Sequence, residues 1–195
     1  ERKSALNGDI KTDVAVIGGG MAGILTAYQL ERSGVHTVVL EAEQIGGGQT
    51  KNTTAKITCQ HGLFCRTFIE KKGKETARLY VQANQDAVEE YKRIICQEQI
   101  DCDLRVSDAY VYSRDKEKLE QETEAAGELG INASFEKQIE IPVECAGAVR
   151  FRDQAEFHPL KFIEALAKKL TVYEETPAKE VEGNWIITPC GKVMA

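Results

Sequence analysis

Apolar residues follow two rhythms along this chain, and the change between them divides it. Asp13 to Ile17 (DVAVI) is a short β-branched run, the pattern of a strand buried on both faces of a parallel sheet. Gly18 to Gly20 end it. From Met21 to Arg32 the apolar residues Ile24, Leu25, Ala27, Tyr28 and Leu30 recur at helical spacing, and Gly34 stands where a helix C-terminus prefers glycine. Thr37 to Leu40 (TVVL) is a second buried-strand run. Strand, glycine turn, helix and strand within about thirty residues have the size of one βαβ unit, whose crossover is expected to be right-handed.

Residues 44–56 are rich in glycine, threonine and asparagine and nearly free of large apolar side chains, which predicts a long loop instead of a core element. Lys74 to Glu98 predicts a long helix with Tyr80, Ala87, Val88, Tyr91, Ile94 and Ile95 on one apolar face. From Leu104 the rhythm changes: LRVSDAYVYS alternates like a half-buried strand. A charged helix is expected over Lys116 to Leu129, with further strands around Ile139 and Val149. Helical spacing returns at Pro159 through Leu160, Ile163, Leu166, Ala167 and Leu170, and short strands follow around Val172, Val181 and Ile186. The fold class is therefore α/β, a Rossmann-like parallel domain with an inserted α+β segment that carries an antiparallel sheet.

Composition narrows the function. Hydrophobic residues make up 42% and charged residues 29%, as in globular proteins. The net charge of -6 comes from charges spread along the chain without a basic stripe, which argues against a nucleic-acid partner. The six cysteines include no CxxC pair and read as reduced, mostly buried thiols of a cytosolic protein, with no metal or disulfide role. The longest uncharged stretch, Val14 to Leu30, holds four glycines and falls short of a membrane span. Because the chain opens on Glu1 without a methionine and stops at Ala195 in a strand-like run, both ends read as cut from a longer protein.

Gly18-Gly19-Gly20-Met21-Ala22-Gly23 satisfies GxGxxG between a predicted strand and a predicted helix. Gly18 serves the tight turn, Gly20 the approach of a pyrophosphate to the backbone, and Gly23 the close packing of helix on strand. Phosphates then meet the helix N-terminus, where free N–H groups and the dipole favour negative charge. Glu41 ends the second strand at the spacing of an acid that binds adenosine ribose hydroxyls, and its charge repels a 2′-phosphate. Together they point to FAD or NAD and away from NADP. His61 and His158 are expected to be structural, the latter capping a helix, and Glu117, Glu120, Glu122 and Glu124 to line a solvated helix face.

DVAVIGGGMAGILTAYQL, then VVLEAEQIGGGQTKNTTAKIT and QHG, and later QAEFHPLKFIEALA, resemble the D-amino-acid oxidase and glycine oxidase superfamily of FAD-dependent oxidoreductases. The likeness is greatest to the branch that often carries a C-terminal Rieske iron–sulfur domain. The resemblance implies that FAD is the cofactor. It implies an FAD-binding domain over residues 1–99 and 151–195, with the substrate domain starting at 100–150. It also implies that the loop lies along the pyrophosphate and flavin, adding Ala42, Gly47, Gly48, Thr53, Thr54, Ala55 and Lys56 to the cofactor-binding set of Gly18, Gly20, Met21, Ala22, Gly23 and Glu41. Lys51 departs from the glycine that related sequences tend to have there, which leaves the local backbone path open. The implied activity is oxidation of an amine or amino acid by hydride transfer to flavin, and the residues that clamp substrate are expected outside this chain. No catalytic residue is assigned, and this segment alone is expected to be inactive. An NAD-dependent dehydrogenase and a non-catalytic FAD-binding or interaction module are the alternatives.

Overall fold

The computed structural model describes residues 2–140 and 142–195. In chain order the elements are β1 (Ile10–Lys11), β2 (Val14–Ile17), α1 (Met21–Arg32), β3 (Thr37–Leu40), a 3-10 turn (Gln49–Asn52), β4 (Lys56–Ile57), α2 (Cys65–Lys72) and α3 (Lys74–Gln97). They continue with β5 (Arg105–Ser113), α4 (Lys116–Glu128), β6 (Ala133–Glu136), β7 (Gly147–Glu156), α5 (Pro159–Ala167), β8 (Thr171–Tyr173), β9 (Glu180–Glu182), β10 (Trp185–Thr188) and β11 (Gly191–Met194). Two compact units result: one from the chain up to Thr54, Ile100–Cys102 and His158–Ala195, the other from Ala55–Gln99 and Asp103–Phe157. Residues 55–99, grouped by sequence with the Rossmann-like segment, thus pack with the antiparallel sheet.

In the first unit β2, β3 and β8 form a parallel sheet with β3 in the middle. All four residues of β3 are buried. Val38 and Leu40 cluster with Ile186 and Val193 of the neighbouring sheet β1-β11-β10-β9 and with Leu6 of the N-terminal segment. By strand alternation Val39 faces the opposite side. There α1, which buries Ile24, Ala27 and Tyr28, packs on α5, which buries Phe162, Ile163, Leu166 and Ala167. The doubly buried strand is therefore β3. β2 has a sheet partner on one side only, so Val14 to Val16 are half-buried and Ile17 is 55% exposed.

In the second unit β7 is central, paired antiparallel with β5, β6 and β4. The strand expected around Ile139 lies instead at Ala133–Glu136, where Phe135 pairs with Val149. Helix α3 buries Ala77, Val81, Val88, Ile94 and Ile95, while Ala87 and Tyr80 of the expected face are exposed. Helix α4 is not wholly solvated either. Glu122 is only 2% exposed and accepts the N–H groups of Cys65 at 2.7 Å and Arg66 at 3.1 Å. It caps α2, whose own N-cap residue Phe64 has no acceptor to offer. Burial, then the neighbouring Glu122 carboxylate, pushes the Cys65 thiol far up from its ordinary value. Of the six free cysteines, Cys59, Cys65 and Cys102 are buried, but Cys96 and Cys190 are exposed.

Candidate functional site

The glycine turn after β2 is fixed by contacts that leave little choice of residue. Gly18 takes φ +105 and donates its N–H to Leu40 O at 2.8 Å, which ties the turn to the end of β3. A Cβ on Gly23 would stand 1.9 Å from Gly18 O, so only glycine lets α1 start this close to the strand. Gly20 differs. A Cβ there would meet the Thr50 hydroxyl at 3.5 Å, an ordinary contact, so the protein itself does not require the missing side chain. The open face it leaves is the approach that a pyrophosphate needs.

Gly20 is also the N-cap of α1 and has no side chain to cap with. The first N–H groups of a helix lack intrahelical partners and form the positive end of its dipole. One of them, Met21 N–H, is accepted by Thr50 Oγ1 at 3.1 Å. Thr50 lies in the 3-10 turn and is 6% exposed. Sequence reading passed it over because nothing local marks a cap that comes from 29 residues away.

Glu41 sits beside this turn. Its Oε2 accepts Gly19 N–H at 2.6 Å and its Oε1 accepts Glu43 N–H at 2.8 Å, which leaves each oxygen a lone pair for a further donor. Its backbone is held by the end of β8 and the segment after it, through Glu41 N–H to Tyr173 O and Thr176 N–H to Glu41 O, both 2.8 Å. Next to it Ala42, Gln44, Gly47 and Lys51 line a cavity of about 310 Å³ with Arg2. Gly46 N–H donates to Gly19 O at 3.0 Å, and a Cβ on Gly46 would lie 2.7 Å from Ile163 and Leu160 of α5. Lys51 has a negative φ within the 3-10 turn, so a lysine in place of glycine there needs no unusual backbone.

The turn, α1's first residues Met21 and Ala22, Glu41, Ala42, Gly47, Gly48 and the exposed Thr53 and Thr54 all belong to the first unit. Ala55 and Lys56 belong to the second. Ala55 has φ +59, an unusual conformation for a residue with a Cβ, and its O accepts Phe157 N–H at 3.1 Å. Lys56 is exposed in β4. Buried Glu174, not foreseen, anchors the start of the loop and the N-terminal segment by accepting Ile45 N–H and Lys3 N–H, each at 2.8 Å.

His158 caps α5 as expected, its Nδ1 accepting Lys161 N–H at 3.3 Å. His61 is exposed, bonds Asn84 at 3.3 Å and lies beside the Phe64 ring. No group of three metal-ligating side chains occurs among the described residues. In the second unit a cavity of about 460 Å³ is lined by Tyr110, Glu136 and Arg150. Arg150 Nε donates to Asp108 at 2.6 Å. Burial alone would raise the Asp108 pKa, but Arg150 and the Asp153 N–H outweigh it and hold it below the ordinary value. Arg150 is thus already engaged by carboxylates and is not a free clamp for a substrate anion.

The chain matches the family model of FAD dependent oxidoreductases (DAO) over residues 13–195. It is 40% identical over 186 residues to YhfW of Bacillus subtilis (strain 168), a protein named for a Rieske 2Fe-2S iron–sulfur centre; the match covers 91% of this chain and 36% of that protein. It is 31% identical over 138 residues to gamma-glutamylputrescine oxidoreductase of Escherichia coli (strain K12), covering 70% of this chain and 31% of that one. The fold is similar to that of L-proline dehydrogenase from P. horikoshii, with a TM-score of 0.77 at 20% identity over 97% of this chain and 51% of that chain. The chain thus spans about a third of the length of these curated relatives.

Proposed function

Since the chain belongs to the FAD-dependent oxidoreductase family, we propose that the complete protein oxidises an amine or amino acid and that the first unit holds the ADP half of its FAD. The observation that carries this reading is the βα turn: an open face at Gly20, orphan N–H groups at the start of α1, and the Glu41 carboxylate folded against Gly19. Donors meet the pyrophosphate, an acceptor meets the ribose, and neither needs rearrangement of the backbone. Gly47, Gly48, Thr53, Thr54, Ala55 and Lys56 would follow the cofactor toward its ring, with the Thr53 and Thr54 hydroxyls as donors and the Lys56 ammonium as a counter-charge.

When bound, FAD supplies a flavin that accepts hydride from a C–H bond beside nitrogen. This chain's part is to bind and orient it; no residue here is assigned a proton-transfer role. Relatives named for γ-glutamylputrescine and L-proline support a nitrogen-bearing substrate. The likeness to a protein named for a Rieske centre supports an iron–sulfur domain further along the chain as electron acceptor. Free cysteines favour a reducing, cytoplasmic setting, and no helix among the described residues is long and apolar enough to cross a membrane.

The test is to denature the complete protein and identify the released nucleotide. FAD in the supernatant, or flavin retained covalently on the chain, is the expected result. NAD with no flavin in either fraction would overturn the reading.

A further inference from the structure

The outward face of the second unit's sheet carries a polar row that takes no part in the core. Tyr110 of β5, Arg150 of β7 and Ser134 of β6 stand opposite one another in the pairing register, so they share one face. Val149 and Phe151, on either side of Arg150 in the chain, point the other way and are fully buried. Glu136, two residues on from Ser134, joins the outward row and accepts the Ser134 hydroxyl at 2.9 Å. Arg150 is fixed among them: its Nε donates to Asp108 at 2.6 Å, it lies 3.9 Å from Glu136, and its Cζ lies 5.9 Å from the centre of the Tyr110 ring. The stretch around Ile139, where a strand was expected, forms none. Gln138, Ile139 and Glu140 instead line, with Tyr110, Glu136 and Arg150, a cavity of about 460 Å³, a volume that suits a small molecule.

The charge around this cavity is unbalanced. Asp108 and Glu136 together carry one more charge than Arg150 cancels, and Glu140 adds another. Among the described residues the side chains of Gln138 and Glu140 have no hydrogen-bond or ion-pair partner. An anion would be repelled here, and an uncharged apolar molecule would desolvate Glu140 without pairing it. A cation with N–H donors meets a free carboxylate, a free amide oxygen and an aromatic ring. We propose that the cavity binds an alkylammonium group, its N–H bonds accepted by Glu140 and Gln138 and its carbon chain laid against Tyr110 and Ile139. Two sources supply such a group: the nitrogen-bearing substrate of the reaction proposed above, or a separate amine. Only the first source rests on that reading; the recognition itself uses residues of the second unit alone.

The complete holoprotein would be dialysed to equilibrium, without oxygen, against butylammonium, butanol and butyrate, as wild type, Glu140→Gln and Glu140→Asp. Glu140 is exposed and lies outside the sheet, so neither variant disturbs the core. Wild type is expected to take up butylammonium saturably and to hold butanol and butyrate at least about tenfold more weakly. Glu140→Gln should raise the butylammonium dissociation constant about tenfold, the low end for a hydrogen bond to a charged group, because solvent screens an exposed carboxylate. Glu140→Asp keeps the charge and should stay within about threefold of wild type. Flavin that is reduced over the same concentration range as uptake identifies the substrate as the source, and uptake that leaves the flavin spectrum unchanged identifies a separate amine; both support the site. No saturable uptake by wild type, butanol held as tightly as butylammonium, or unchanged uptake in Glu140→Gln would overturn the proposal. Crystals of the unmodified holoprotein grown with butylammonium decide the matter even where a variant fails to fold. A nitrogen within hydrogen-bond distance of Glu140 supports the proposal, and a cavity without the ligand refutes it. Protein that contains no flavin yet binds butylammonium would overturn the function reading and leave this site standing.

Discussion

At the scale of single residues, the glycine turn separates the glycines that the fold demands from the one that it does not. Gly23 is required by the protein itself, because the atom a Cβ would strike is Gly18 O, a backbone atom that cannot swing aside. Gly20 is not required by any protein contact closer than 3.5 Å. Gly23→Ala should therefore destabilise the complete protein by about 3 kcal/mol, at the upper end of overpacking costs, whereas Gly20→Ala should cost less than about 1 kcal/mol. Urea unfolding of both variants would check this, and similar losses in the two would show the distinction to be false. The motif was legible because each of its glycines has a local reason. Thr50, Gly46 and Glu174 were not legible. Their partners Met21, Leu160 with Ile163, and Ile45 with Lys3 are brought to them only by the tertiary fold.

At the scale of elements, the same division holds. Helix α1 and strand β3 have the boundaries their periodicity predicts, since a buried run between glycine turns needs no distant information. Strands β1 and β4 have two residues each, and a pattern of period two cannot be read from so few. The burial of β2 was overestimated for another reason: an apolar run tells of strand propensity but not of the strand's place in the sheet. Helix α4 shows what charge patterning misses. Glu122 looks like its solvated neighbours, yet it supplies the cap that α2 lacks. Glu122→Gln should cost about 1–3 kcal/mol, the range for a buried hydrogen bond to a charged group. It should also lower the Cys65 pKa relative to wild type, because the carboxylate is among the causes that raise it. Denaturant unfolding and the pH dependence of Cys65 alkylation would report the two effects. An unchanged midpoint would mean that the cap is not energetically significant.

At the scale of the whole molecule, the arrangement follows from where the chain crosses between units. The parallel sheet of the first unit joins β3 to β8, and Leu6 N–H bonds Thr176 across 170 residues of sequence. All strands of the second unit, by contrast, lie between residues 55 and 157. This interleaving has a consequence for how the protein is made. As the chain leaves the ribosome, the second unit has every one of its strands once Phe157 has emerged, while β2, α1 and β3 still lack α5 and β8. Contacts so distant in sequence form slowly and expose apolar surface in the interval. Chains stalled just after Phe157 clears the exit tunnel should resist protease across residues 55–157 and be cut within α1, and a stalled chain protected in α1 as well would contradict this order. The unit proposed to hold the nucleotide, although its first strands are synthesised first, is then the last to become a folded object.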